Sequence, residues 1–245
     1  MPHIEFAIGL IFIAAFIRGY TGFGFAAIAI SGLSLIWPIQ VSVPVILTLD
    51  LISSVGLIST AWHHAHKPLL KHLSLGAVVG IPIGLMILIK VPDPVLKFAL
   101  SLTILCMIAS LIYSSSITLP LSSRLTSGVG CISGGFSAAA SIGGLPVVCY
   151  LLMTGFSASI QRATLVIFLT ASDVISVGLM AFNDILTVSL ISPILWLLVP
   201  SLIGVQVGQW FFTRKPPQSF RPIALPILIT LSSISLYFSS MHIFK

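Results

Sequence analysis

Two arginines stand beside glycine clusters inside long apolar runs, a placement that suits the binding of small anions. Arg18 ends one run and precedes Gly19-Tyr20-Thr21-Gly22-Phe23-Gly24-Phe25; Arg162 opens the run 163–169, shortly after a second cluster at Ser141-Ile142-Gly143-Gly144. A guanidinium keeps its charge and offers a planar fork of donors, which fits oxyanions better than a lysine ammonium does. Glycines within such a run interrupt the helix, and a restarted helix presents unpaired backbone N–H groups at its positive end. Hydroxyls of Thr21, Ser137 and Ser141 add donors. The predicted anion-binding set is therefore Arg18, Thr21, Gly22, Gly24, Ser141, Gly143, Gly144 and Arg162. A structural role competes with this one: Arg18 neutralising Asp50 and Arg162 neutralising Asp173, or either arginine snorkelling to an interface.

The two acids belong to a near copy within the chain. Asp50-Leu51-Ile52-Ser53-Ser54-Val55-Gly56-Leu57 recurs, less one serine, as Asp173-Val174-Ile175-Ser176-Val177-Gly178-Leu179, in a sequence with only five acidic residues. A carboxylate at membrane depth costs about 2.5–3.5 kcal/mol on insertion scales, so an acid kept there has a purpose. Two purposes stay open: carrying a proton linked to transport, or bracing the broken helices. Arg162 and Asp173 are eleven residues apart, about 16 Å along a helix axis. In a continuous helix they share a face without touching.

Long apolar elements must position these residues, and the composition supplies them. The 245 residues are 57% hydrophobic and 7% charged, with mean hydropathy +1.17, against about 25% charged residues in a soluble domain. Polar and proline punctuation leaves segments at 4–37, 41–62, 73–89, 95–113, 125–153, 160–182, 185–212 and 223–244. Each is long enough, or nearly so, for a hydrocarbon core that takes about 20 residues to cross. The predicted fold is all-α: a polytopic transmembrane bundle of about eight spans, with glycine-broken helices in the first and fifth segments. The opening run carries Glu5 in place of a basic flank and leads straight into the glycine cluster, so it reads as a mature span and not a cleaved signal.

Three landmarks recur in one order: Gly22-Phe23-Gly24 with Ile142-Gly143-Gly144, then the Asp motifs, then Lys90-Val91-Pro92-Asp93-Pro94 with Arg214-Lys215-Pro216-Pro217. The predicted division is an N-terminal repeat at 1–113, a linker at 114–124 and a C-terminal repeat at 125–245. Repeats of this kind mark secondary transporters, whose substrate sits at the midplane between them. Whether the repeats are parallel or inverted depends on whether the glycine-broken segments re-enter. Counting basic loop residues puts Lys90, Lys97, Arg214, Lys215 and Arg221 on the cytoplasmic side.

Other chemistries fit poorly. The net charge of +6 is scattered between apolar runs and forms no stripe for nucleic acid. Cys106, Cys131 and Cys149 lack paired spacing and read as small buried hydrophobes, with neither a disulfide framework nor a zinc site indicated. His63, His64 and His66, with Lys67 and His72 nearby, sit at a span end without a carboxylate or cysteine partner and read as an interfacial cluster, not a metal site. Trp37, Trp62, Trp196 and Trp210 read as interface anchors. No nucleotide loop, serine elbow or HExxH motif is present, so no cofactor and no enzymatic energy source is expected. The expected partners are a small anionic substrate and the lipid bilayer, with a homo-oligomer left open.

At Ile17-Arg18-Gly19-Tyr20-Thr21-Gly22-Phe23-Gly24-Phe25-Ala26, Gly134-Gly135, Ser141-Ile142-Gly143-Gly144-Leu145-Pro146 and Arg162-Ala163-Thr164, the chain resembles the sulfite exporter TauE/SafE family, also described as four-toluene-sulfonate uptake permease-like. The resemblance runs through both repeats. It implies a multi-pass permease of a prokaryotic cytoplasmic membrane that moves sulfite, organosulfonates or other small organic anions, with an ion gradient as the energy source. Ala139-Ala140-Ser141 departs from the glycine and threonine of many relatives, so the two halves need not share the site equally. Two rival expectations are uptake of a thiosulfate-type compound through cysteine contacts and an intramembrane enzyme built on His63, His64 and His66.

Overall fold

The computed structural model describes residues 4–113 and 121–214 with three single positions beyond; residues 114–120 of the linker and nearly all of segment 223–244 lie outside the described residues. Among the described residues every regular element is helical. The chain runs α1 (Ile4–Thr21), α2 (Phe25–Leu33), α3 (Ile39–Trp62), α4 (Lys67–Lys90), α5 (Asp93–Tyr113), α6 (Ser123–Ala140), α7 (Gly144–Leu152), α8 (Ala158–Phe182), a 3₁₀ turn (Val188–Leu190) and α9 (Ile191–Arg214). Helices α1, α3, α4, α8 and α9 with its leading turn are long and apolar enough to cross a membrane.

The polarity is that of a protein dissolved in lipid. Val78, Val79, Met86, Leu195 and Val199 are exposed, whereas Arg18, Asp50, Ser54, Arg162 and Asp173 are buried. In hydrocarbon, charged groups face the bundle interior and apolar ones face outward.

The first and fifth apolar segments are not straight crossings. Gly32, near the end of α2, packs against the Leu10 side chain of α1, so α2 doubles back along α1 after the turn at Gly22-Phe23-Gly24. Likewise Ser133 Oγ of α6 donates to Gly143 O, and Thr126 on α6 shares a 2.8 Å hydrogen bond with the Tyr150 hydroxyl on α7. Both segments are hairpins, an 18-residue helix followed by a 9-residue return. Nine residues rise about 13.5 Å, roughly half of a hydrocarbon core.

Packing fixes the directions. Ser53 bonds Ser201 at 2.6 Å and Thr60 accepts from Gln209, so α3 and α9 run the same way. Gly204 lies against Phe12 and Gly208 against Phe16, so α1 runs with them. The short loop after Trp62 reverses α4, and Gly80 against Cys131 with Gly84 against Gly135 sets α6 parallel to α4. His66 N donates to Thr164 Oγ1, which starts α8 at the face where α4 starts. The two hairpins therefore enter from opposite faces.

Backbones touch along both seams. A Cβ at Gly80 would overlap the Cys131 carbonyl oxygen, and one at Gly208 would overlap that of Phe16. Small residues four apart let membrane helices approach this closely. The two seams match position for position: Gly204 and Gly208 are each 124 residues after Gly80 and Gly84, while Cys131 and Gly135 are each 119 after Phe12 and Phe16.

Candidate anion site

The two hairpin tips lie side by side: a methyl group added at Gly144 of the second would come within 3.8 Å of Phe23 Cβ of the first. Beside them is a cavity of about 20 Å³, room for one or two water molecules. Its wall takes Arg18 from α1, Phe23, Gly24, Ala26 and Ala27 from the first tip, Leu47 and Asp50 from α3, Ser137 from α6, Ser141 through Leu145 from the second tip, and Leu169 and Asp173 from α8.

Arg18 is fully buried at the end of α1. Nη1 donates to Gly22 O at 2.9 Å, which caps the broken helix, and Nη2 donates to Ser54 Oγ at 2.9 Å. Nε lies 3.1 Å from Asp50 Oδ1, a close ion pair whose N–H is not aligned as a hydrogen bond. Ser54 in turn donates to Asp50 Oδ1 at 3.3 Å. A guanidinium carries five N–H donors, so each Nη keeps one for another ligand. Arg18 thus neutralises Asp50 and lines the cavity at the same time.

Two short helices begin at this wall. Gly24 caps α2, and the first bond into that helix is Ile28 N to Gly24 O at 3.0 Å. The N–H groups of Phe25, Ala26 and Ala27 thus have no carbonyl within the helix. Gly143 caps α7 differently, in the right-handed helical region: Leu145 N already donates to Ile142 O at 3.2 Å and Pro146 has no N–H, so Gly144 N is the donor left without a carbonyl in that helix. Each N-terminus contributes about half a positive charge.

The structure gathers Arg18, Gly24, Ser141, Gly143, Gly144, Asp50 and Asp173 around one cavity. Thr21, Gly22 and Arg162 are elsewhere. The Thr21 hydroxyl is held 2.8 Å from both Ile17 O and Phe23 O, inside the turn. Gly22 has φ 84°, and a Cβ there would lie 2.6 Å from Arg162 Cγ, so glycine is required on both counts. Arg162 lies behind the first tip: Nη2 donates to Gly19 O at 2.6 Å and to Gln209 Oε1, and the guanidinium stacks on Phe212 at 3.9 Å. Arg162 and Asp173 are on one continuous helix and form no ion pair. The profile of the sulfite exporter TauE/SafE family matches residues 7–236. The chain belongs to the TauE/SafE family. No curated protein and no solved structure matches it.

For a TauE/SafE chain, the polar interior, multiple crossings and paired hairpins are those of an integral membrane permease. The two Asp motifs are one turn out of step. Asp50 is the twelfth residue of α3 and Asp173 the sixteenth of α8. A slip of four residues keeps the same helix face, which is why both acids still line one cavity. Ser54 and Gln209 were not in the predicted set; the spacing of Ser54, one turn after Asp50, was a readable signal, whereas Gln209 had none.

The histidines and cysteines have other surroundings. His63 and His64 ring nitrogens lie 3.1 Å from Ser59 O and Thr60 O, and His66 Nδ1 accepts from Leu69 N at the start of α4. None of the three cysteines lines the cavity.

Proposed function

We propose that the chain is a secondary permease of small oxyanions, with sulfite, organosulfonates and related sulfur oxyanions or carboxylates as the substrate class, in the cell membrane. One observation carries this reading: a buried arginine and the starts of two short helices line a single cavity. Backbone N–H groups and a guanidinium together replace the hydration shell of an anion. The cavity is water-sized in this structure, so a multi-atom anion is accommodated only when the tips part.

Inverted repeats suit the opposed hairpins and the seams repeated at constant spacing, and they support alternating access around a fixed central site. The hairpin of each half packs on the other half, α1 on α9 and α6 on α4. The moving bodies are then these exchanged groups, not the sequence halves. Flux of radiolabelled sulfite, sulfonates and carboxylates into proteoliposomes tests the reading. Saturable flux in the wild type, lost in Arg18→Gln, is expected; undiminished flux in Arg18→Gln would overturn it.

A further inference from the structure

The balance of charge in the cavity says what must accompany the anion. With both acids ionised, Arg18 supplies one positive charge against two negative ones, while the starts of α2 and α7 add about half a positive charge each and the ends of α1 and α6 at the same tips about half a negative charge each. The sum is about one negative charge. An arriving anion would then find every positive source already matched by a carboxylate.

The two acids differ in how they are held. Asp50 has Arg18 at 3.1 Å and the Ser54 hydroxyl at 3.3 Å. Asp173 is 2% exposed, lines the cavity, and has Oδ2 without a hydrogen-bond partner. Ser141, on the second tip with φ 58°, is also 2% exposed, lines the cavity and has a hydroxyl without a partner. A buried polar atom left unpaired is costly unless a ligand completes it.

We propose that Asp173 is the proton-binding group of the permease, and that proton and anion occupy the cavity together, so that transport is anion–proton symport. The step is a simple protonation: Oδ2 takes a proton to become a carboxyl O–H, no bond forms to the anion, and both leave on the other face. Neutralising Asp173 removes one negative charge, which balances the charge that the anion brings. Among the described residues at the cavity wall, α1 presents Arg18 and α3 presents Asp50 towards Asp173, while α6 and α7 present neutral groups. A proton needs no coordination shell. The proposal rests on the reading of this cavity as the anion seat.

Full-length protein in proteoliposomes, supplied with radiolabelled sulfite or ethanesulfonate, separates the two. With one proton per monoanion and an imposed difference of two pH units, ethanesulfonate should accumulate by up to about 100-fold, and a sodium gradient alone should produce none. Asp173→Asn should lose the accumulation and keep anion exchange at equal pH, and Asp173→Glu should accumulate as the wild type does. Accumulation undiminished in Asp173→Asn, or Asp173-dependent accumulation driven by sodium, would overturn the proton assignment while leaving the anion seat in place. Flux undiminished in Arg18→Lys would instead remove the anion seat. Independently of flux, one component of the carboxyl C=O infrared band that appears on acidification of the wild type should be missing from Asp173→Asn; identical acid-induced bands in the two proteins would overturn the proposal.

Discussion

Replacing Arg18 by Gln removes a side chain with three buried contacts: Gly22 O and Ser54 Oγ at 2.9 Å each, and Asp50 Oδ1 at 3.1 Å. Polar contacts between membrane helices contribute about 0.6 kcal/mol on average and about 1.7 at most, so the two that reach α3 amount to about 1–3 kcal/mol. Breaking a buried ion pair from one side costs about 3–5 kcal/mol in soluble proteins. The two estimates meet at about 3 kcal/mol, which is the expected loss of unfolding free energy. Asp50→Asn should destabilise as well, by leaving the guanidinium without its counter-ion. Because the residues share one network through Ser54, the double variant should lose less than the sum of the singles, with a coupling of about 0.5–3 kcal/mol. Reversible unfolding in mixed micelles, followed by circular dichroism across the four proteins, measures this cycle. Strictly additive losses, or a change below about 0.5 kcal/mol in Arg18→Gln, would refute the view that this pair locks the first hairpin to α3.

Three other outcomes are expected. Gly80→Ala puts a methyl group into the Cys131 carbonyl and should cost about 1–3 kcal/mol of stability, whereas Gly178→Ala meets nothing within 4 Å and should be neutral or gain up to about 1 kcal/mol from helix propensity; the same unfolding assay compares them. Arg162→Gln should lower the maximal flux with little change in KM, because Arg162 ties α8 to the end of α1 and to Gln209 without lining the cavity; a large rise in KM in flux titrations would put the guanidinium on the substrate. Replacing Cys106, Cys131 and Cys149 together by Ser should leave sulfur-oxyanion flux largely intact, and its loss would favour a route along the cysteines.

Much of this site was legible because it breaks the rule that membrane interiors are apolar. Arg18, Asp50, Asp173 and the two glycine clusters each interrupt an apolar run, and Arg18, Asp50, Asp173, Gly24, Gly143 and Gly144 line one cavity. The family was legible from the same residues. Arg162 lies away from the cavity for a local reason: its neighbourhood in sequence is the second glycine cluster, but α8 begins at the face behind the first tip, and the side chain reaches Gly19. The reversal of α2 and α7 was not readable, since a glycine break permits both a kink and a hairpin and only the contacts of Gly32 and Gly143 decide between them. The seams at Gly76, Gly80 and Gly84 and at Gly204 and Gly208 have small-residue spacing that was present in the sequence and pointed to helix packing, not chemistry.

Equilibrium binding of radiolabelled ethanesulfonate and sulfite to the purified protein, wild type against Arg18→Lys, tests the anion seat most directly. Lysine keeps the charge beside Asp50 but loses the second arm of the fork, and a charge-assisted hydrogen bond corresponds to about 10- to 100-fold in affinity. Saturable binding in the wild type and a loss of that order in Arg18→Lys is the expected result. Equal affinity in the two proteins, with both folded, would contradict it.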